Sequence, residues 1–370
     1  MILAAIPPPY AYSPVELSLI WGVYLGPLLL ALVFGLIVGS FINVVAWRSP
    51  RWRSLLDPPS HCYSCGTFLE PKYNVPVFGY LKLKGTCAYC GSPYSSRYMW
   101  IELLTGVAFT AILFIHSYLP DFPMDSAPNL HVGVEILGYL AKAYVFTTIL
   151  IIIAVIDTEF RYIFPTYTVP GMILGLLTAP LALQDPSCVA DWTTGQFFLD
   201  SFYGLLLGAG LIGLLHAILP RGMGSGDVML AGMLGAFLGW KALLIGLWAS
   251  VLTGGIAALL VLLVAVVQGR YKFGTLVIPY GPYLAIGALI GMLFGCQWFD
   301  SYWGVLKGAG GTGQTTAQVS MLTLFHGWGS VGSPCGCGSE RAATVDTMDR
   351  RDHLIAESVR KDLPIQGNPW

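Results

Sequence analysis

The 370-residue chain carries 19 basic and 20 acidic residues, a formal net charge of -1, 55% hydrophobic and only 11% charged residues, and a mean hydropathy of +0.67. That balance excludes an ordinary soluble domain of this length and predicts an all-α, polytopic helical membrane protein whose surroundings are lipid. The net charge gives no sign of a nucleic-acid partner and leaves the oligomeric state open; topology is read from where the charges fall.

In chain order, apolar runs near the roughly 20 residues that cross a bilayer predict eight spans, at 22–46, 101–119, 135–156, 163–183, 197–219, 228–240, 242–267 and 276–298. The sixth is short and abuts the seventh at Trp240-Lys241, so a merged pair would give seven. Residues 1–23 contain no Lys or Arg, so the first run lacks the basic start of a signal peptide and is expected to be retained. Residues 1–47 have no basic residue, whereas 48–99 hold seven, among them Arg48, Lys72 and Arg97; this expects 48–99 in the cytoplasm and the amino terminus outside. Counting onward, Arg161, Arg221 and Arg270 fall in inner connections, and the loops 120–134 and 184–196, free of Lys and Arg, fall outside. The organisation expected is therefore an N-terminal segment and first span (1–47), a cytoplasmic insert (48–99), a membrane core (100–300) and a disordered tail (304–370) rich in Gly, Ser and Thr.

Two groups of residues carry chemistry. In the insert, Cys62-Tyr63-Ser64-Cys65 and Cys87-Ala88-Tyr89-Cys90 are two CxxC pairs 21 residues apart, offering four thiolates on two tight turns as tetrahedral zinc requires. With no open ligand position the metal is expected to be structural, because about 50 residues have too little core to fold unaided. In the membrane core, Asp157 ends an apolar run and Asp227 closes the glycine-rich segment Gly222-Met223-Gly224-Ser225-Gly226-Asp227. Eight spans put both carboxylates at one face, where an ionisable group lines a wet cavity or meets a partner. The glycines are expected to free Asp227 from regular helix.

Those residues resemble a known family. Gly39-Ser40-Phe41-Ile42-Asn43-Val44-Val45 with Arg48 and Pro50, the paired CxxC around Asn74-Val75-Pro76, and Ser96-Arg97-Tyr98 with Glu102-Leu103-Leu104-Thr105-Gly106 are similar to the amino-terminal half of type IV prepilin peptidases. Asp157, the GMGSGD segment and Ile278-Pro279-Tyr280-Gly281-Pro282-Tyr283 resemble its carboxy-terminal half. The resemblance implies a GxGD-type aspartic endopeptidase of the bacterial inner membrane. It would cleave the basic leader of prepilins or type II secretion pseudopilins and methylate the new amino terminus from S-adenosylmethionine. It carries catalysis to Asp157 and Asp227 and zinc binding to Cys62, Cys65, Cys87 and Cys90, and leaves the methyl-donor site unassigned.

Hydrolysis by two carboxylates needs one ionised to deprotonate water and one protonated to hydrogen-bond the scissile carbonyl, a split that closeness enforces because both cannot ionise cheaply. Taken singly, Asp157 also fits an interfacial helix-end carboxylate and GMGSGD a flexible loop. A peptidase lacking methyl transfer, or a transporter relaying protons through the pair, are the rival readings. Lys142, Asp200, His116 and His216 fit packing or snorkelling, Glu102 fits a helix-opening carboxylate although the resemblance also leaves it a role in handling substrate or methyl donor, and Arg48, Lys72 and Arg97 fit surface anchors. Two departures from the family pattern are Met229, where many members have Lys, and Phe164-Pro165-Thr166, where many have Leu-Pro-Asp.

Overall fold

A computed structural model describes residues 25–118, 130–181, 194–219, 224–268 and 279–309, together with residue 22. The chain divides into two units, 1–310 and 311–370; the second, with Cys335 and Cys337, lies outside the described residues. So do most of the two connections expected outside and Gly222, Met223 and Ile278 of the motifs.

Among the described residues the regular structure is helical, with two isolated β-bridges. The α-helices are α1 (Gly26–Arg48), α2 (Phe78–Leu83), α3 (Arg97–Tyr118), α4 (Leu130–Phe160), α5 (Pro165–Leu177), α6 (Thr194–Ile218), α7 (Ser225–Val267) and α8 (Gly281–Ala309). Six of them, all but α2 and α5, are long and apolar enough to cross a membrane, which makes this a multi-pass membrane protein. Among the described residues, each of the eight expected spans coincides with helix over most of its length, with two differences in form. The fourth is only 13 residues of α5 followed by a 3-10 turn at Ala179–Leu181. The sixth and seventh are one 43-residue element, α7, interrupted at Gly239 (φ 74°, ψ 172°).

That interruption is a reversal of direction. A Cβ placed on Gly208 of α6 would lie 2.8 Å from the Ala231 carbonyl carbon and 3.2 Å from Leu243 Cδ2. A straight helix would separate positions 231 and 243 by about 18 Å, so the two arms of α7 fold back at Gly239 and both run beside α6. The turn conformation is one that essentially only glycine adopts, and a Cβ there would overlap the buried carboxylate of Asp200.

Helix packing follows the small-residue rule of membrane interiors, where lipid offers no hydrophobic push and close backbone approach supplies the contact. On α1, Gly35 and Gly39 meet α3: Cβ atoms there would come within 2.7 Å of the Cα atoms of Gly106 and Glu102. On α8, Gly287, Gly291 and Gly295 pack on the second arm of α7 along Ser250, Gly246 and Ala242. The main core joins α4, α6, α7 and α8 through Phe146, Leu150, Ile212, Met233, Phe237, Leu243 and Leu284. A second cluster, with Ile42, Val45, Ile101, Ile152 and Ile156, joins α1, α3 and α4.

Candidate active site and metal centre

The ends of several helices meet at one face of the bundle. Helix α4 stops just past Asp157, where Arg161 takes a left-handed conformation (φ 52°) and its N–H returns to the Asp157 carbonyl at 2.9 Å. The connection that follows presses Ile163 against the start of α7, so closely that a Cβ on Gly226 would lie 2.8 Å from Ile163 Cβ. Gly226 thus gives the GxGD segment its contact with the Asp157 end of α4, and Asp227 comes within electrostatic range of Asp157. The Pro279-Tyr280 break begins α8 beside them: the Gly281 N–H donates to Asp157 Oδ2 at 2.9 Å, and Tyr280 lies in electrostatic range of Asp227.

Asp157 is buried, 6% exposed, and Asp227 is half-buried. Contrary to the sequence expectation, Asp227 is not freed from helix. It is the third residue of α7, and its Oδ2 accepts the Gly224 N–H at 2.9 Å, because a helix start leaves backbone donors that a carboxylate three residues on can satisfy. Both carboxylates therefore accept a backbone N–H, which fixes their orientation. Residues 221–223 lie outside the described structure; Thr166 is exposed in the first turn of α5 and Met229 is 37% exposed.

The insert is built from two turns of one design. Cys62 N–H bonds the Thr67 carbonyl and Gly66 N–H the Cys62 carbonyl; Cys87 and Gly91 repeat the pattern with Ser92 and Cys87. Gly66 and Gly91 both have φ near 70° (71° and 70°), a left-handed position suited to glycine. Ser64 and Ser92 hydrogen-bond across the pair at 2.8 Å. The four Sγ atoms of Cys62, Cys65, Cys87 and Cys90 all lie within 4.8 Å of one another, with Cys62–Cys90 at 3.8 Å. Zinc–sulfur bonds of about 2.3 Å in a tetrahedron put sulfurs roughly 3.8 Å apart, so the cluster can hold such an ion. The Cys65 N–H bond to Cys62, the Thr67 hydroxyl at Cys65 and the Cys90 N–H at Cys87 lower those three thiols. At Cys90 the Ser92 N–H also lowers the thiol, but desolvation and the three neighbouring sulfurs outweigh it and push it up to about 11. Four thiolates this close need a cation between them.

Three residues read as surface or helix-end groups fasten one segment to another, Arg48 and Glu102 from buried positions and Arg97 from a half-buried one. Arg48 is buried and donates to the carbonyls of Ser54, Leu55 and Pro58. Arg97 pairs with Glu159, tying the start of α3 to the end of α4 beside Asp157. Glu102 accepts the Val77 N–H at 2.8 Å. Val77 itself is strained (φ 61°, ψ -53°), the centre of a γ-turn closed by Phe78 N–H to Pro76 carbonyl at 2.6 Å, a rare conformation for a β-branched residue.

Comparison with known proteins matches residues 33–116 to the bacterial peptidase A24 N-terminal domain and residues 144–259 to the type IV leader peptidase family. The first stretch contains the four cysteines and the second both aspartates. The chain is 34% identical over 253 residues to a prepilin leader peptidase/N-methyltransferase of Myxococcus xanthus, covering 65% of each. A namesake from Burkholderia pseudomallei is 30% identical over 301 residues, covering 73% of this chain and 86% of the relative. One from Bacillus subtilis is 30% identical over 270 residues, covering 71% and 92%. No solved structure matches the chain.

Proposed function

Since the chain belongs to the type IV leader peptidase family, we propose that it is an aspartic endopeptidase that removes the leader of type IV prepilins or type II secretion pseudopilins and N-methylates the new amino terminus. The observation that carries the hydrolytic half is the meeting of Asp157 and Asp227 at one face, 70 positions apart in sequence, each fixed by a backbone N–H. Held in mutual electrostatic range, one carboxylate takes the proton of the attacking water while the other, protonated, polarises the scissile carbonyl; the pair acts and titrates as a unit. The Gly281 amide at Asp157 and the Gly224 amide at Asp227 keep the two oriented before substrate arrives.

Cys62, Cys65, Cys87 and Cys90 hold a structural zinc, which stands in for the apolar core that the insert lacks. S-adenosylmethionine is the methyl donor. The protein resides in the bacterial inner membrane with lipid around its spans and its active face toward the cytoplasm: Arg48, Arg51, Arg53, Arg97 and Arg161 cluster at the ends of α1, α3 and α4 on the Asp157 side, as the positive-inside bias requires. The test is mass spectrometry of a prepilin coexpressed with the protein. Loss of the leader together with one added methyl group is expected; an intact precursor in membranes containing the protein would overturn the reading.

A further inference from the structure

We propose that the cavity between α3, α4, α7 and α8, at the end of the bundle opposite the two aspartates, binds the phosphate group of an anionic phospholipid, with Lys142 as its cationic contact. The cavity measures about 70 Å³, and its walls include His116, Tyr139, Lys142, Phe146, Phe237 and Met292. Lys142 precedes Asp157 by 15 positions on α4, about 22 Å along the helix. Phe146, one turn nearer Asp157, stacks on Phe237 with ring centroids 4.6 Å apart, which sets carbon between the cavity and the aspartates.

Three observations point to an anionic ligand. First, Lys142 lies inside a membrane-spanning helix, half-buried, and among the described residues its ammonium makes no hydrogen bond or ion pair. A cation at such depth calls for a counter-charge and acceptors, and its three N–H donors can take the oxygens of one oxyanion. Second, the carboxylate in electrostatic range of it, Asp200, is not in the cavity wall; it lies against the turn at Gly239. Third, no Asp or Glu lines the cavity, whereas Tyr139 and His116, hydrogen-bonded to each other, line it together with Lys142 as further groups able to donate.

Size and depth narrow the class. At about 15 Å³ for each water-sized site, the cavity holds roughly five such sites, the scale of one tetrahedral oxyanion and too little for a nucleotide. Met292 precedes Trp298 by six positions on α8, about 9 Å. Trp298 and Trp303 are exposed there, and Trp240 packs edge-on against Phe299. Tryptophans gather at the headgroup level of a bilayer, so the cavity lies within two turns of that level, where basic pockets between helices take phospholipid headgroups. Most of its wall is apolar, which suits the carbons attached to a lipid phosphate, and the lack of a carboxylate leaves the ammonium of a zwitterionic headgroup without a partner. Free phosphate shares the charge and lacks the apolar attachment.

The test uses full-length protein in detergent, titrated with phosphatidylglycerol, phosphatidylethanolamine or inorganic phosphate. Native mass spectrometry reads bound lipid and its Kd, and a phosphatidylglycerol with a photoreactive group at the top of an acyl chain is crosslinked and mapped to peptides. Expected are one retained phosphatidylglycerol per chain, weaker retention of phosphatidylethanolamine, roughly tenfold or greater loss of affinity in Lys142→Met, and label on α4 and α8 near Lys142 and Met292. Displacement of the lipid by inorganic phosphate would support the oxyanion site and add free phosphate as an occupant; a lipid that phosphate does not displace supports the phospholipid alone. Equal affinity in Lys142→Met and wild type, equal retention of the two lipids, or label confined to other helices would overturn the assignment. Leader cleavage by Lys142→Met at the wild-type rate shows that the variant is folded, and should it not fold, the crosslink map of the wild-type protein decides.

Discussion

Placing one methyl group at position 281 tests whether the orientation of Asp157 matters to peptide cleavage. In Gly281→Ala the new Cβ would start 2.6 Å from Asp157 Oδ2 and 3.0 Å from its Cγ. To regain ordinary contact the carboxylate has to retreat by about 0.8 Å, which stretches its bond from the Gly281 amide, now 2.9 Å. A hydrogen bond to a charged group contributes about 1.5–3 kcal/mol, and a 1 Å misplacement of a reacting group costs on the order of 10²-fold in rate. Gly281 is not among the residues with positive φ, and the obstructing atoms belong to a side chain, so the helix itself should persist. The expected result is leader cleavage slowed by about two orders of magnitude with unchanged expression and at most a small drop in thermal midpoint. The assay is the time course of prepilin processing in membranes at matched enzyme level. A Gly281→Ala protein that cleaves at the wild-type rate would refute the claim that this contact sets the carboxylate for catalysis.

Further expectations concern the turn, the metal and the tail. Gly239→Ala forces a side chain into a backbone region that costs about 1–3 kcal/mol for residues other than glycine and into the space of the Asp200 carboxylate; a clear drop in thermal midpoint in detergent is expected, and an unchanged midpoint would remove the hairpin assignment. Purified protein should contain about one zinc per chain, measured by elemental analysis. Replacing Cys65 and Cys90 together with Ser, or chelating the metal, should expose residues 48–99 to protease; a metal-free protein with a protected insert would contradict the site. Deleting residues 310–370 should leave leader cleavage nearly intact, as read by the same processing assay, and loss of cleavage at normal expression would assign the tail a role.

Much of this was legible in the sequence because the signals were local. Apolar length marked the helices, and the two CxxC turns, each with a glycine one residue on, specified a cluster whose sulfurs meet within 4.8 Å. The Pro279-Tyr280 break begins α8 beside an aspartate, as the Gly281–Asp157 bond shows. What local pattern could not supply were contacts set by packing. Gly239 looked like one more glycine in an apolar run, and only its nearness to Asp200 and the double contact of Gly208 expose the reversal. The GxxxG spacing at Gly35 and Gly39 is itself a readable signal for the α1–α3 contact. Arg48 and Arg97 were read as surface anchors and Glu102 as a helix-opening carboxylate; their partners lie between 6 and 62 positions away, at Ser54, Glu159 and Val77. Asp227 was expected off the helix because glycines precede it, yet a carboxylate at the third position stabilises a helix start.

The most direct test of the central claim is leader cleavage by Asp157→Asn and Asp227→Asn. Asparagine keeps the size of the side chain and cannot exchange the catalytic proton, so each single variant should insert normally and lose prepilin processing. The double variant should be no worse than either, since the pair acts as a unit. Either single variant, present in the membrane at wild-type level and still processing prepilin near the wild-type rate, would contradict the mechanism.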